Sequence, residues 1–123
     1  MRPRSTTLTT SELEIMKIVW RLEQATVRDV YEELLKERKV AYTTVMTMMK
    51  VLEQKNHLRR TSDEKAHVYL PVEPRRQVLS EMVREFVNRV FDGSAEPLLA
   101  HLVDNNQITR EELAEIARLR GTK

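Results

Sequence analysis

The feature that most limits the fold is a change of period near residue 57. Before it, Val45, Met48, Met49 and Leu52 recur at spacings of three and four, the pattern of a helix that buries one stripe. After it, Leu58, Arg59, Arg60 and Thr61 read as one short strand. Val68, Tyr69 and Leu70 read as its partner, ended by Pro71. The polar residues 62–66 make the tip. A helix running into a two-stranded hairpin beside a helical core is the pattern of a wing.

The core is expected upstream. Thr9 and Glu12 have capping-box spacing, and Leu8 can staple to Leu13 across it, so the first helix opens there and runs to about Leu22. Leu13, Met16 and Trp20 share a face, with Ile15, Val19 and Leu22 beside them. Glu23, Gln24 and Ala25 form a short turn. Thr26 caps a second helix, with Asp29 near its positive end. Val27, Val30, Tyr31, Leu34 and Leu35 are expected to point inward. The charged residues 36–39 then lead through Val40 to the third helix, residues 41–56. Three helices joined by short turns match a helix-turn-helix core.

The third helix has a second face. Thr43, Thr47 and Lys50 follow i, i+4, i+7, with Tyr42 and Thr44 nearby and no carboxylate until Glu53. Such a face can enter a DNA groove without repelling phosphate, and its hydroxyls and methyls can meet base edges. Met46 either touches a thymine methyl or is simply exposed. Two β-branched threonines at a helix start are a poor choice for stability alone. The bland alternative is that they cap and fill a surface helix. Charge favours the first reading. Net charge over the 123 residues is only +2, but residues 38–67 hold 7 basic against 3 acidic side chains. Arg59, Arg60, Lys65 and His67 are then candidate phosphate contacts on the wing, although charged hairpin tips are ordinarily solvated surface, the reading that suits His67 alone.

Beyond Pro74, which restarts a helix, the pattern widens. Val78, Leu79, Met82, Val83, Phe86, Val87, Val90 and Phe91 form doublets that cover about half of the helix circumference. Gly93 is a natural stop. Ser94 is expected to cap a further helix carrying Leu98, Leu99, Leu102 and Val103, and residues 104–107 read as a loop. Thr109 and Glu112 repeat the capping box, and Leu113 and Ile116 continue the stripe until Gly121. So short a unit cannot bury these side chains within one chain. The simplest remedy is an intertwined homodimer; a ligand pocket or a different partner is the rival. The expected organisation is residues 1–72 as a DNA-binding domain and 73–123 as a dimerisation domain, mainly α with a small β-hairpin.

Other classes recede. The sequence has no cysteine, which removes disulfides, thiol catalysis and cysteine metal sites, and its two glycines exclude a glycine-rich phosphate loop. No metal or other cofactor is expected. Serines fall at turns and caps, and His57, His67 and His101 are scattered. His57 reads as a capping or surface group and His101 as an edge-of-core side chain, so an enzyme is not expected. No apolar run suits a membrane span and the N-terminus lacks a signal-peptide core, which reads as a cytoplasmic protein.

The residues 8–20, 26–30, the Ala41–Tyr42–Thr43–Thr44–Val45–Met46–Thr47–Met48–Met49 run, 52–56 and 66–71 closely resemble the penicillinase and methicillin-resistance repressor family (BlaI/MecI type). Over residues 74–123 the resemblance is in lengths and helix order. It implies a winged-helix homodimer that represses transcription on a palindromic operator, the third helix in the major groove. It also implies a membrane sensor-protease as partner, cutting the repressor in its C-terminal unit in response to β-lactam. The matching bond is His101–Leu102, where this chain departs from the family's Asn-Phe. The copper-responsive branch uses a cysteine cluster, which this chain lacks. Two other readings stay open: a winged helix that binds protein, for which an apolar or acidic third-helix face would speak, and a ligand-gated regulator.

Overall fold

The computed structural model describes residues 8–61 and 67–121; residues 1–7 and the expected hairpin tip at 62–66, with Lys65, lie outside the described residues. The chain forms two compact units, Met1–Met82 and Val83–Lys123.

The first unit contains α1 (Thr10–Leu22), α2 (Val27–Leu35), α3 (Tyr42–Gln54), β1 (Leu58–Arg60), β2 (Tyr69–Pro71) and the start of α4 (Arg75–Phe91). The expected capping box of α1 forms, and the expected Thr26 cap of α2 is a full capping box as well. Thr9 and Glu12 exchange hydrogen bonds of 3.0 and 3.1 Å, and Thr26 and Asp29 exchange two of 3.0 Å. Each satisfies two backbone N–H donors that would otherwise face water at the helix start. One core follows from the apolar stripes: Ile15, Met16, Ile18 and Val19 of α1, Val30 and Leu34 of α2, and Val45, Met49 and Leu52 of α3, closed by Leu58 and Tyr69 of the hairpin. Burying each such aliphatic side chain contributes about 1.5–3 kcal/mol.

The hairpin is antiparallel, with Leu58 opposite Pro71, Arg59 opposite Leu70 and Arg60 opposite Tyr69. Thr61 N–H donates to Val68 O at 2.9 Å, one step beyond the named strands, and Pro71 is the last strand residue instead of the residue after it. Ala25, expected as plain turn, bridges Tyr69 through two backbone hydrogen bonds of 3.0 and 2.8 Å. The turn between α1 and α2 is therefore stitched to the wing.

Burial departs from expectation at Leu35 and His57. Leu35 was expected inward but is 43% exposed. Val30 and Leu34, one turn apart, already fill the inward stripe of this nine-residue helix, and Leu35 sits round the edge in its last turn. His57, read as a capping or surface group, is not at the surface: it is 1% exposed. Asn56 takes a left-handed conformation, φ 67°, which turns the chain sharply after α3. His57 N–H then donates to Leu52 O at 2.9 Å and its carbonyl accepts from Val72 N–H at 3.0 Å, which draws the residue under the wing.

The second unit holds the rest of α4, then α5 (Glu96–Asp104) and α6 (Arg110–Gly121). Asp92 and Gly93 both take positive φ, 53° and 89°, and Gly93 N–H donates back to Val87 O at 3.1 Å. Glycine is thus needed, but an aspartate makes the first left-handed step. Ser94 does not cap α5. Ala95 is the N-cap, in a helical conformation and without a side-chain bond. Pro97 in the first turn has no N–H to satisfy, which reduces the need for a cap. Asp104 belongs to α5, so the loop begins one residue later than expected. Thr109 and Glu112 form their capping box, at 2.8 and 2.9 Å.

Candidate nucleic-acid interface

Helix α3 presents two faces because its sequence does. Val45, Met49 and Leu52 are buried, which orients the opposite side outward. Thr43, Thr44, Thr47 and Lys50 are all exposed there, and Met46 is half-buried at the margin. The N-cap, Ala41, supplies no side-chain bond, and the first turn holds no acidic residue. The helix therefore offers backbone N–H groups, hydroxyls, methyls and one ammonium along a single strip. That set can donate to and accept from base edges and bind phosphate.

The N-terminal end of the strip is braced by aromatics. Tyr42 meets Tyr31 of α2 edge to face, 5.3 Å between ring centroids, and the Arg28 guanidinium lies 5.5 Å from the Tyr42 centroid. Arg28 was missed in the sequence, where nothing distinguishes it from any exposed helix arginine.

The C-terminal end is tied down by charge. Lys55, the C-cap residue, reaches the Glu12 carboxylate at 2.9 and 3.0 Å. Glu12 is only 7% exposed. Burial pushes its carboxyl up, but the Thr9 N–H bond and Lys55 together outweigh this and hold it below its ordinary value. Glu53 accepts from Arg60 of β1 at 3.0 Å. The one carboxylate expected near the α3 face is thereby matched by a wing arginine. The capping role of Glu12 was visible in the sequence; its partner 43 residues on was not.

On the wing, Arg59 and His67 are exposed, and Arg60 divides its guanidinium between solvent and Glu53. Thus α3 and the base of the hairpin place Tyr42, Thr43, Thr44, Met46, Thr47, Lys50, Arg59 and Arg60 within one unit. Among the described residues no three His, Asp or Glu side chains are grouped to hold a metal ion, and no helix is long and apolar enough to cross a membrane.

In the second unit the apolar residues divide. Val87 is buried, while Val83, Phe86, Val90, Leu99 and Ile116 are exposed. Phe86 and Phe91 pack edge to face at 5.9 Å. Val78, counted with this stripe from sequence, is 1% exposed and lies in the first unit, so its side chain is already covered. Leu79 and Met82, also in the first unit, are half-buried, as are Leu98, Leu102 and Leu113 of the second. His101 and Leu102 lie inside α5. The His101 carbonyl accepts from the Asn105 backbone and side chain at 3.0 and 2.9 Å, and the Leu102 carbonyl from Gln107 and Ile108 N–H at 2.9 and 3.3 Å.

Three short helices packed as a helix-turn-helix, followed by a hairpin, define a winged-helix protein with an added helical unit. Comparison with known proteins gives the family. The profile of the penicillinase repressor family matches residues 8–120, and the chain belongs to that family. Its members are transcriptional repressors, not enzymes. The transcriptional regulator BlaI of Mycobacterium tuberculosis is 34% identical over 119 residues, covering 91% of this chain and 86% of that one. The penicillinase repressor of Bacillus licheniformis is 26% identical, covering 89% and 85%. The solution structure of monomeric B. licheniformis BlaI with the blaP half-operator superposes with a TM-score of 0.51 at 27% identity, covering 61% of this chain and 90% of that one.

Proposed function

We propose that the chain is a transcriptional repressor that binds a palindromic operator as a homodimer, with α3 in the major groove and the wing on the backbone. The observation that carries this is the exposed Thr43, Thr44, Thr47 and Lys50 strip, set opposite the buried Val45, Met49 and Leu52 stripe. Its support is the half-operator bound by the structurally similar BlaI. The exposed Val83, Phe86 and Val90 on α4 and Ile116 on α6 support assembly through the second unit, because exposed apolar side chains gain from being covered.

Release of DNA would act through that assembly. Two linked half-site contacts bind far more tightly than one, by roughly 10²–10⁴. Cutting His101–Leu102 would remove the linkage without touching α3. A protease needs extended backbone, and the carbonyl of this bond, that of His101, and the next one along, that of Leu102, are both engaged in the α5 terminus, so cleavage requires local opening of that turn. The test is selection of genomic fragments by the full-length protein. The reading expects recovery of an inverted repeat with half-sites about one helical turn, or a multiple, apart. Recovery of no enriched sequence would refute it.

A further inference from the structure

Arg28 lies on α2, outside the α3 strip, yet the structure brings its guanidinium to the end of α3. Its Cζ is 5.5 Å from the centroid of Tyr42, the first residue of α3, and Tyr31 meets that ring edge to face at 5.3 Å. A stacked guanidinium keeps its planar N–H fork available for a bidentate acceptor, and the ring restricts the side chain that carries it. The side chain is 66% exposed, and its ion pair with Glu32, at 3.9 Å between two exposed groups, is weak. The nearer acidic neighbour, Asp29, is engaged by the Thr26 N–H at 3.0 Å. A cation held in this way beside the groove-facing helix, and on the preceding helix, is placed where a duplex backbone passes in a helix-turn-helix complex.

We infer that Arg28 is a phosphate clamp, seated on Tyr42, that grips the DNA backbone at the N-terminal end of α3. The inference rests on the proposed DNA-binding function. The acceptor is a backbone phosphate, so Arg28 contributes to affinity and register and carries no sequence preference.

The experiment uses the full-length protein with two duplexes, one recovered by selection with the wild type and one of unrelated sequence, titrated across a range of salt. Arg28→Ala is expected to weaken both duplexes several-fold and by the same factor. It should also flatten the log–log salt dependence by about 0.9 for each protomer bound. Arg28→Lys, which keeps the charge, should retain most of the slope. Circular dichroism should show both variants folded, since the side chain is largely exposed. An unchanged slope with Arg28→Ala overturns the clamp. So does a loss confined to the selected duplex, which would mean that Arg28 acts by setting the pose of Tyr42. If the wild type binds neither duplex, the DNA-binding reading itself fails and the clamp with it; if the wild type binds and only the Arg28 result is negative, that reading stands.

Discussion

Lys55, at the end of α3, sits 2.9 and 3.0 Å from the two carboxylate oxygens of Glu12, in the first turn of α1. The same carboxylate accepts from the Thr9 N–H at 3.0 Å. One side chain thus starts α1 and fixes the exit of α3. Glu12→Gln is expected to destabilise the protein by about 1–2 kcal/mol, because it removes a charge-assisted pair that is only partly screened by solvent. A double-mutant cycle with Lys55→Met, followed by chemical denaturation, should show coupling of about 1 kcal/mol. Additive losses would deny the link.

Acid should act on the same pair. The Glu12 carboxyl is lowered in the folded chain from an ordinary value of 4.5. Its contribution is therefore fully present above that value and is lost as pH falls through the folded one. The wild type should lose more thermal stability than Glu12→Gln between roughly pH 5 and pH 3. Parallel curves for the two proteins would contradict this.

Stability and recognition should separate on α3. Leu52→Ala, at a fully buried position, should cost about 2–5 kcal/mol. Thr47→Ala should leave the melting temperature nearly unchanged and relax base preference by about 1–3 kcal/mol. Melting curves and binding to mismatched duplexes read the two effects independently.

Assembly should depend on exposed residues and folding on buried ones. Phe86, 40% exposed, can become Asp with its unit still folded, but a charge placed in a desolvated apolar interface has no partner. The proposed assembly expects the wild type to sediment as a dimer and Phe86→Asp as a monomer at the same concentration. Val78→Asp should instead unfold the first unit. A fragment ending at Met82 should be folded and monomeric. One ending at Val72 should be less stable, since it lacks the Glu73 carbonyl that accepts from Trp20 Nε1 at 3.1 Å.

Local signals carried most of the fold. The capping boxes at Thr9 and Thr109, the cap at Thr26, the stripe of α3 and the change of period at the hairpin depend on residues a few positions apart. A linear reading sees such patterns. What escaped it depends on distant partners or on backbone geometry. The burial of His57 follows from the left-handed Asn56. Ala25 pairs with Tyr69, Lys55 with Glu12, and Arg28 with Tyr42, and each pairing exists only once the helices are packed. For the candidate interface, the exposed strip was legible as a pattern of threonines and a lysine. The arginine seated on its first residue was not.

The most direct test concerns the α3 strip itself. The affinity of the full-length protein for a selected duplex should be compared with that of the Thr43→Ala/Thr44→Ala/Thr47→Ala variant, with circular dichroism confirming equal helix content. All three side chains are exposed, so folding should be retained. Loss of base contacts predicts a fall of about 10- to 100-fold on the selected duplex, with little change on a duplex of unrelated sequence. A folded triple variant that binds the selected duplex as tightly as the wild type would contradict the account.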